Sequence, residues 1–264
     1  MPLLAKFASF HPFLVYLAFI AILLGFGITV ILVTRHFFDF QTRSAQLHIS
    51  SHLFGIVGAI FAVLLAFVTV IVWQQFNKAA ENADKEANTA LAMYRDLSLY
   101  YDRKMADQAE QSLLAFIHSV IEDEYPAMAK MERSQPTAQA IDRLWMDVHN
   151  LKVQDLRQQS LFNEILRKMN NLSELRAGRL RVAQNYDLLG IMRLVLVLGA
   201  FIVIVFAVLF GPEKFWWNNF LASLFAVLIG TILIVLVEFE YPFAGQISVS
   251  PDAYINVLKI IHQK

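Results

Sequence analysis

The sequence predicts an all-α integral membrane protein: four transmembrane helices, with a cytoplasmic helical bundle inserted between helices 2 and 3. Three observations predict it. The 264 residues are 57% hydrophobic and 17% charged, against roughly 45–50% and 25% in an average soluble domain, and mean hydropathy is +0.50. The apolar excess falls into four runs of about 20 residues, the length that crosses a hydrocarbon core. Charge is confined as well: of 22 basic and 22 acidic residues, 16 and 17 lie between Gln74 and Arg193. A soluble single-domain enzyme is excluded. The balanced charge offers no field to recruit nucleic acid. With no cysteine, disulfides, thiol nucleophiles and Cys-ligated metals are excluded too.

The four spans cover residues 12–34, 53–73, 194–210 and 215–237. None contains Asp, Glu, Lys or Arg; one such residue at mid-bilayer costs about 2.5–3.5 kcal/mol on insertion scales. The first run is too long for the 7–15-residue core of a signal peptide, and no small-x-small cleavage site follows, so it is read as retained. Lys6, Lys78, Lys85, Arg176, Arg179, Arg181 and Arg193 flank one side, and Arg35, Arg43 and Lys214 the other. The positive-inside rule then places both termini and the insert in the cytoplasm, in a multi-pass protein of the inner membrane. The expected domains are residues 1–75 (helices 1 and 2), 76–190 (cytoplasmic bundle), 191–237 (helices 3 and 4) and 238–264 (cytoplasmic tail).

From Gln74 there is no Gly or Pro until Pro126, and the residues are mostly strong helix formers. Leu91, Tyr94, Leu97, Tyr101 and Met105, then Leu113, Phe116, Ile117, Val120 and Ile121, recur at helical spacing. The pattern predicts one helix running about 70 Å beyond the bilayer, stopped at Glu124-Tyr125-Pro126 because proline disfavours helix at the residue before it. A loop near residues 133–136 follows. A second helix starts around Thr137 with Ile141, Leu144, Trp145 and Val148 on one face. A third carries Leu156, Leu161, Ile165, Leu166, Met169, Leu172 and Leu175 and leads through a basic run into span 3. A helix this long must bury its apolar stripe against something.

No GxxxxGK[ST], GxGxxG or HExxH motif occurs. His48 and His52 have metal-compatible i, i+4 spacing and are read as solvated residues at the membrane rim. His118 and Glu122 share a helix face and are read as a surface hydrogen bond. Glu122-Asp123-Glu124 could attract a cation and is read as a solvated helix end. Ser248 and Ser250 stand near no base. The chain is expected to be no enzyme and to need no cofactor or metal.

Three segments are more specific: the Glu-Asp-Glu-Tyr-Pro corner at 122–126, span 2 with its exit, and the tail. In span 2, Gly55, Gly58, Ala59, Ala62 and Ala66 form a small-residue stripe that would allow close helix approach. The neighbouring face offers Val63, Phe67 and Val70, whose rings could gate by dewetting around an oligomer axis; ordinary packing within one subunit is the plainer alternative. After span 4, Pro242 and Gly245 force a turn. A short helix then starts at Pro251-Asp252 with Ser250 as its cap, and would dock on the bundle or lie at the interface through Ile255, Leu258 and Ile261.

Trp73-Gln74-Gln75-Phe76, Glu86-Ala87, Tyr94-Arg95, the Glu-Tyr-Pro corner, the basic run at 176–181, and the tail Pro242-Phe243-x-Gly245-x-Ile247-x-Val249-Ser250-Pro251 resemble the bestrophin-like domain family of bacterial membrane proteins over about residues 50–262. That family is distantly similar to bestrophins, pentameric and mainly anion-conducting channels whose second helix lines the pore. The resemblance implies neck residues near Ala59, Val63 and Phe67, with Gln74 and Gln75 at the cytoplasmic mouth. It does not carry calcium gating over: the acidic run after Pro-Phe-Gly is replaced here by Gln246.

The expected function is a homo-oligomeric ion channel, a pentamer conducting anions on the resemblance. Its partners would be the lipid bilayer, further copies of itself and permeant inorganic ions. The alternative is a non-conducting scaffold or sensor acting through its helical bundle. A transporter fits less well, since no span holds an ionisable residue for coupling. The discriminator is where Phe67 and the small-residue stripe point.

Overall fold

The computed structural model describes residues 12–37, 40–184, 190–209 and 214–263; Lys6 and Phe210 lie outside them. Nine α-helices and one π-helical turn make up the described residues, with no strand among them. They are α1 (Pro12–Phe37), α2 (Phe40–Ser98), α3 (Arg103–Ser119), the π turn (Val120–Glu124), α4 (Tyr125–Ala129), α5 (Gln135–His149), α6 (Leu156–Gln184), α7 (Gly190–Leu209), α8 (Phe215–Glu240) and α9 (Asp252–His262). The chain divides into two compact units: Met1–Gln74 with Tyr186–Glu240, and Gln75–Asn185 with Tyr241–Lys264.

The first unit holds the long apolar helices. Three of its helices are long and apolar enough to cross a membrane: His52–Ser98 within α2, then Gly190–Leu209 and Trp216–Glu240. The apolar stretch scored in α1, Leu17–Val30, is shorter, although α1 itself has 26 residues. Phe61, Leu65, Val68 and Val72 of α2 are buried with Leu196, Ala200, Val203 and Ile204 of α7 and Ala226, Ile229, Leu233 and Leu236 of α8. Their 3–4 residue spacing puts each set on one helix face. Edge-to-face ring pairs add to this packing, Phe26 on Phe201 at 4.6 Å and Trp73 on Phe239 at 5.1 Å. The tightest approach is at Gly199, where a Cβ would lie 2.7 Å from Phe61 Cδ2.

The second unit is a helical bundle with its own core. Leu113, Phe116 and Ile117 of α3 face Ile141, Leu144 and Val148 of α5, and Ile165, Met169 and Leu172 of α6 complete the layer. Ala79, Ala83, Ala87 and Ala90 are buried along α2; their small side chains let neighbouring helices come close. The tail docks on this bundle: Phe243, Tyr254, Val257 and Ile261 belong to its core.

The single long helix expected up to Pro126 is broken. It stops at Ser98, and α3 starts afresh at Arg103. Side chains do what Gly or Pro would otherwise do. Asp102 caps α3 by accepting from the Met105 N–H at 3.4 Å. Arg103 donates to the terminal carbonyls of Leu97 (3.1 Å) and Ser98 (3.0 Å). The buried Tyr100 donates its hydroxyl to Lys152 O at 2.9 Å. The break reverses the fate of Tyr101, expected on the buried stripe but 76% exposed, and Leu156 of the third stretch is 84% exposed.

Pro126 does not end a helix either. It lies in the first turn of α4, where a missing N–H costs nothing, and the preceding π turn, closed by Tyr125 N–H to Val120 O, widens the backbone ahead of the ring. The real reversal comes at Met131 (φ 67°), where Glu132 N–H reaches back to Ala127 O at 2.9 Å. At the tail helix the N-cap is Pro251, not Ser250; the Ser250 hydroxyl donates instead to Asp252 Oδ2 at 2.5 Å.

Candidate functional site

The membrane part of α2 presents two faces. Phe61, Leu65, Val68 and Val72 are buried within the unit. Ala59, Val63, Phe67 and Val70 lie on the other side and are exposed, Phe67 by 66% and Val63 by 56%. Gln74, and Gln75 where the second unit begins, are exposed as well. The small-residue stripe is not consumed by packing in this chain: a Cβ at Gly55 or Gly58 would meet nothing within 4 Å, and Ala62 and Ala66 are exposed. The face carries no ion ligand. The nearby Thr69 hydroxyl is given to Leu65 O at 2.7 Å.

A second constellation lies in the bundle. Arg179 of α6 is 1% exposed and sits between two fully buried carboxylates. It forks onto Glu86 of α2, Nε to Oε2 at 2.6 Å and Nη2 to Oε1 at 2.8 Å, and also donates from Nη2 to Glu124 Oε2 at 2.7 Å. Arg176, one turn earlier, donates from Nε to Glu124 Oε1 at 3.0 Å. Two carboxylates and two guanidiniums cancel, which is how a dry interior tolerates them. Arg179 Nη1 also meets Met128 Sδ at 3.3 Å, and the guanidinium carbon stands 5.3 Å from the Tyr125 ring centroid. Burial works against the Arg179 charge, but Glu86 and then Glu124 outweigh it and hold the group well above its ordinary range. Burial pushes the Tyr125 hydroxyl up to about 12, and drives Tyr254 of α9 well above its usual value with the Glu86 charge adding. The Tyr125 hydroxyl has no hydrogen-bond partner, whereas that of Tyr254 is directed to the Glu86 carboxylate.

This centre overturns two readings of the sequence. Glu122 and Asp123 are solvated, but Glu124 is not. Arg179 is no membrane-flanking surface charge. The available signals were a lone Glu within an alanine stripe (Ala83, Glu86, Ala87, Ala90) and two arginines at i, i+3. His118 and Glu122 form only a long exposed contact, 3.8 Å. His52 is exposed, and among the described residues no three His, Cys, Asp or Glu side chains gather as for a metal.

The tail motif is a folded turn. Pro242 and Phe243 are buried, with Phe243 edge-on to Tyr125 at 6.1 Å. Val249 N–H donates to Pro242 O at 2.7 Å, closing the loop. Gly245 has φ 99°, a backbone conformation that suits glycine, and Pro251 starts α9.

Long apolar helices joined to a helical bundle define a helical membrane protein. The bestrophin-like domain model matches residues 21–254, and the chain belongs to that family. No curated protein matches it. Two crystal structures of variants of a bacterial bestrophin homologue from Klebsiella pneumoniae share its fold. One is 14% identical, with TM-score 0.68 over 94% of this chain and 99% of the other. The second is 13% identical, with TM-score 0.69 over 93% and 98%.

Proposed function

We propose that the chain is the subunit of a homo-oligomeric ion channel, a pentamer with α2 lining the pore. Four helices would span the inner membrane: α1, the apolar part of α2, α7 and α8, with both termini and the bundle in the cytoplasm. One observation carries this reading. α2 buries one face within its own unit and leaves Ala59, Val63, Phe67 and Val70 exposed on another, above Gln74 and Gln75. Repeated around a symmetry axis, that face makes apolar rings narrow enough to dewet, and hydrated ions pass when they widen. Anions are favoured by family resemblance.

The test is ion flux from purified oligomer in liposomes. Phe67→Ala and Val63→Ala should raise chloride flux several-fold and admit a larger anion. Unchanged flux in both variants would remove α2 from the pore.

A second reading, a non-conducting scaffold, draws on apolar residues left exposed in the bundle. Leu99, Tyr101 and Leu156 are 74%, 76% and 84% exposed there. Silence of the wild type and of both widened variants to chloride, sodium and potassium would favour it.

A further inference from the structure

We propose that Lys130, Arg133 and Arg181 form a binding surface for the phosphate of an anionic phospholipid headgroup. Gln184, in the last turn of α6, is the organiser. Its Oε1 accepts from Arg133 Nε at 3.1 Å. Arg181 stands one turn earlier on the same helix, so its Cβ lies about 5–6 Å from that of Gln184. The turn at Met131 carries Lys130 and Arg133, and it lies against this helix end through the Arg133–Gln184 hydrogen bond and through Met131, which lines a crevice with Val182 and Ala183.

All three cations are exposed, and none forms an ion pair among the described residues. By contrast, the more buried Arg176 and Arg179 and the partly buried Lys168 are all paired. Glu132 is the sole acid on segments 128–133 and 180–184, so positive charge is in surplus. Because Gln184 occupies Nε of Arg133, both of its Nη groups remain to grip a phosphate in fork geometry. Two like charges beside one neutral amide, neither paired with a carboxylate among the described residues, make an arrangement an anion would complete.

The anion is assigned to a lipid by position. In the chain, Gln184 lies six residues before Gly190, where the apolar helix α7 begins, and the apolar helix α8 ends at Glu240, immediately before Tyr241. Tyr241 and Pro242 line one crevice with Met131, Val182 and Ala183. Tyr241 thus ties the residue that follows an apolar helix to this crevice, and Val182 next to Arg181 is 40% exposed. Cations beside exposed apolar surface at a membrane boundary match a headgroup with acyl chain attached.

The inference rests on the membrane-spanning reading of Proposed function but not on conduction. Its test is native mass spectrometry of the full oligomer titrated with phosphatidylglycerol, phosphatidylcholine or inorganic phosphate. The variants are Lys130→Gln/Arg133→Gln/Arg181→Gln and a control that removes three other exposed cations, Lys104→Gln/Arg143→Gln/Arg157→Gln. Wild type and control should retain phosphatidylglycerol over phosphatidylcholine. The first triple variant should lose on the order of a hundredfold in affinity, from about fivefold per cation removed. Equal retention by both triple variants overturns the site. Equal loss in both also overturns it, since charge alone would then suffice, and competition by millimolar inorganic phosphate overturns the lipid assignment. No flux is read, so a silent pore leaves this result standing, and a conducting oligomer indifferent to phosphatidylglycerol overturns the lipid site alone.

Discussion

Arg179 holds two buried carboxylates at once, and its removal would leave Glu124 with one guanidinium and Glu86 with none. Arg179→Met should cost about 3–5 kcal/mol, the scale for breaking a buried ion pair. Arg179→Lys should recover little, because an ammonium lacks the fork that serves Glu86 and Glu124 together. Urea unfolding of the detergent-solubilised oligomer reads both. The tyrosines set an alkaline limit. Unfolded tyrosine loses its proton near 10, whereas Tyr125 keeps its own to about 12. Between these values the unfolded state binds fewer protons, so stability falls as pH rises, by about 1.4 kcal/mol per pH unit for each such tyrosine. Thermal melts from pH 8 to 11.5 should show that decline, and Tyr125→Phe should flatten it by about one proton. None of this could be read from spacing alone. Residues 86, 124, 179 and 254 meet only in three dimensions, and a buried Glu looks in sequence like an exposed one.

Helices were legible where apolar period and length agreed. Ile141, Leu144 and Val148 mark the buried face of α5, as their spacing predicts, and Ile165, Met169 and Leu172 that of α6. Helix ends were less legible, because α2 and α3 are separated by side-chain caps instead of Gly or Pro. The same holds for small residues. The stripe at Gly55 and Gly58 invited a packing role, yet the close contact falls at Gly199, whose partner Phe61 lies on α2. Gly199→Ala should destabilise by about 1–3 kcal/mol through overpacking. Adding Phe61→Leu should restore most of it, since the shorter side chain vacates the ring position. A double-mutant cycle on melting temperature measures the coupling.

For the whole molecule, composition alone separated the two units, because burying charge in lipid and exposing an apolar run to water are both costly. It left the face of α2 undetermined, since a lipid-facing, pore-facing or partner-facing Phe67 has the same neighbours in sequence. The absence of cysteine makes topology directly measurable. Leu156→Cys, at an exposed position in the bundle, should react with a membrane-impermeant maleimide in inverted inner-membrane vesicles and not in intact spheroplasts. The opposite pattern would turn the orientation around.

The ion-pair centre also imposes an order on biosynthesis. Glu86 and Arg179 are 93 residues apart in the chain. A ribosome adding 5–20 residues per second therefore delivers the carboxylate roughly 5–20 s before its guanidinium. During that interval α2 has already left the exit tunnel, and its alanine stripe has no α6 to close upon. Tyr254 arrives later still, so the bundle is sealed only when the last helix has been translated.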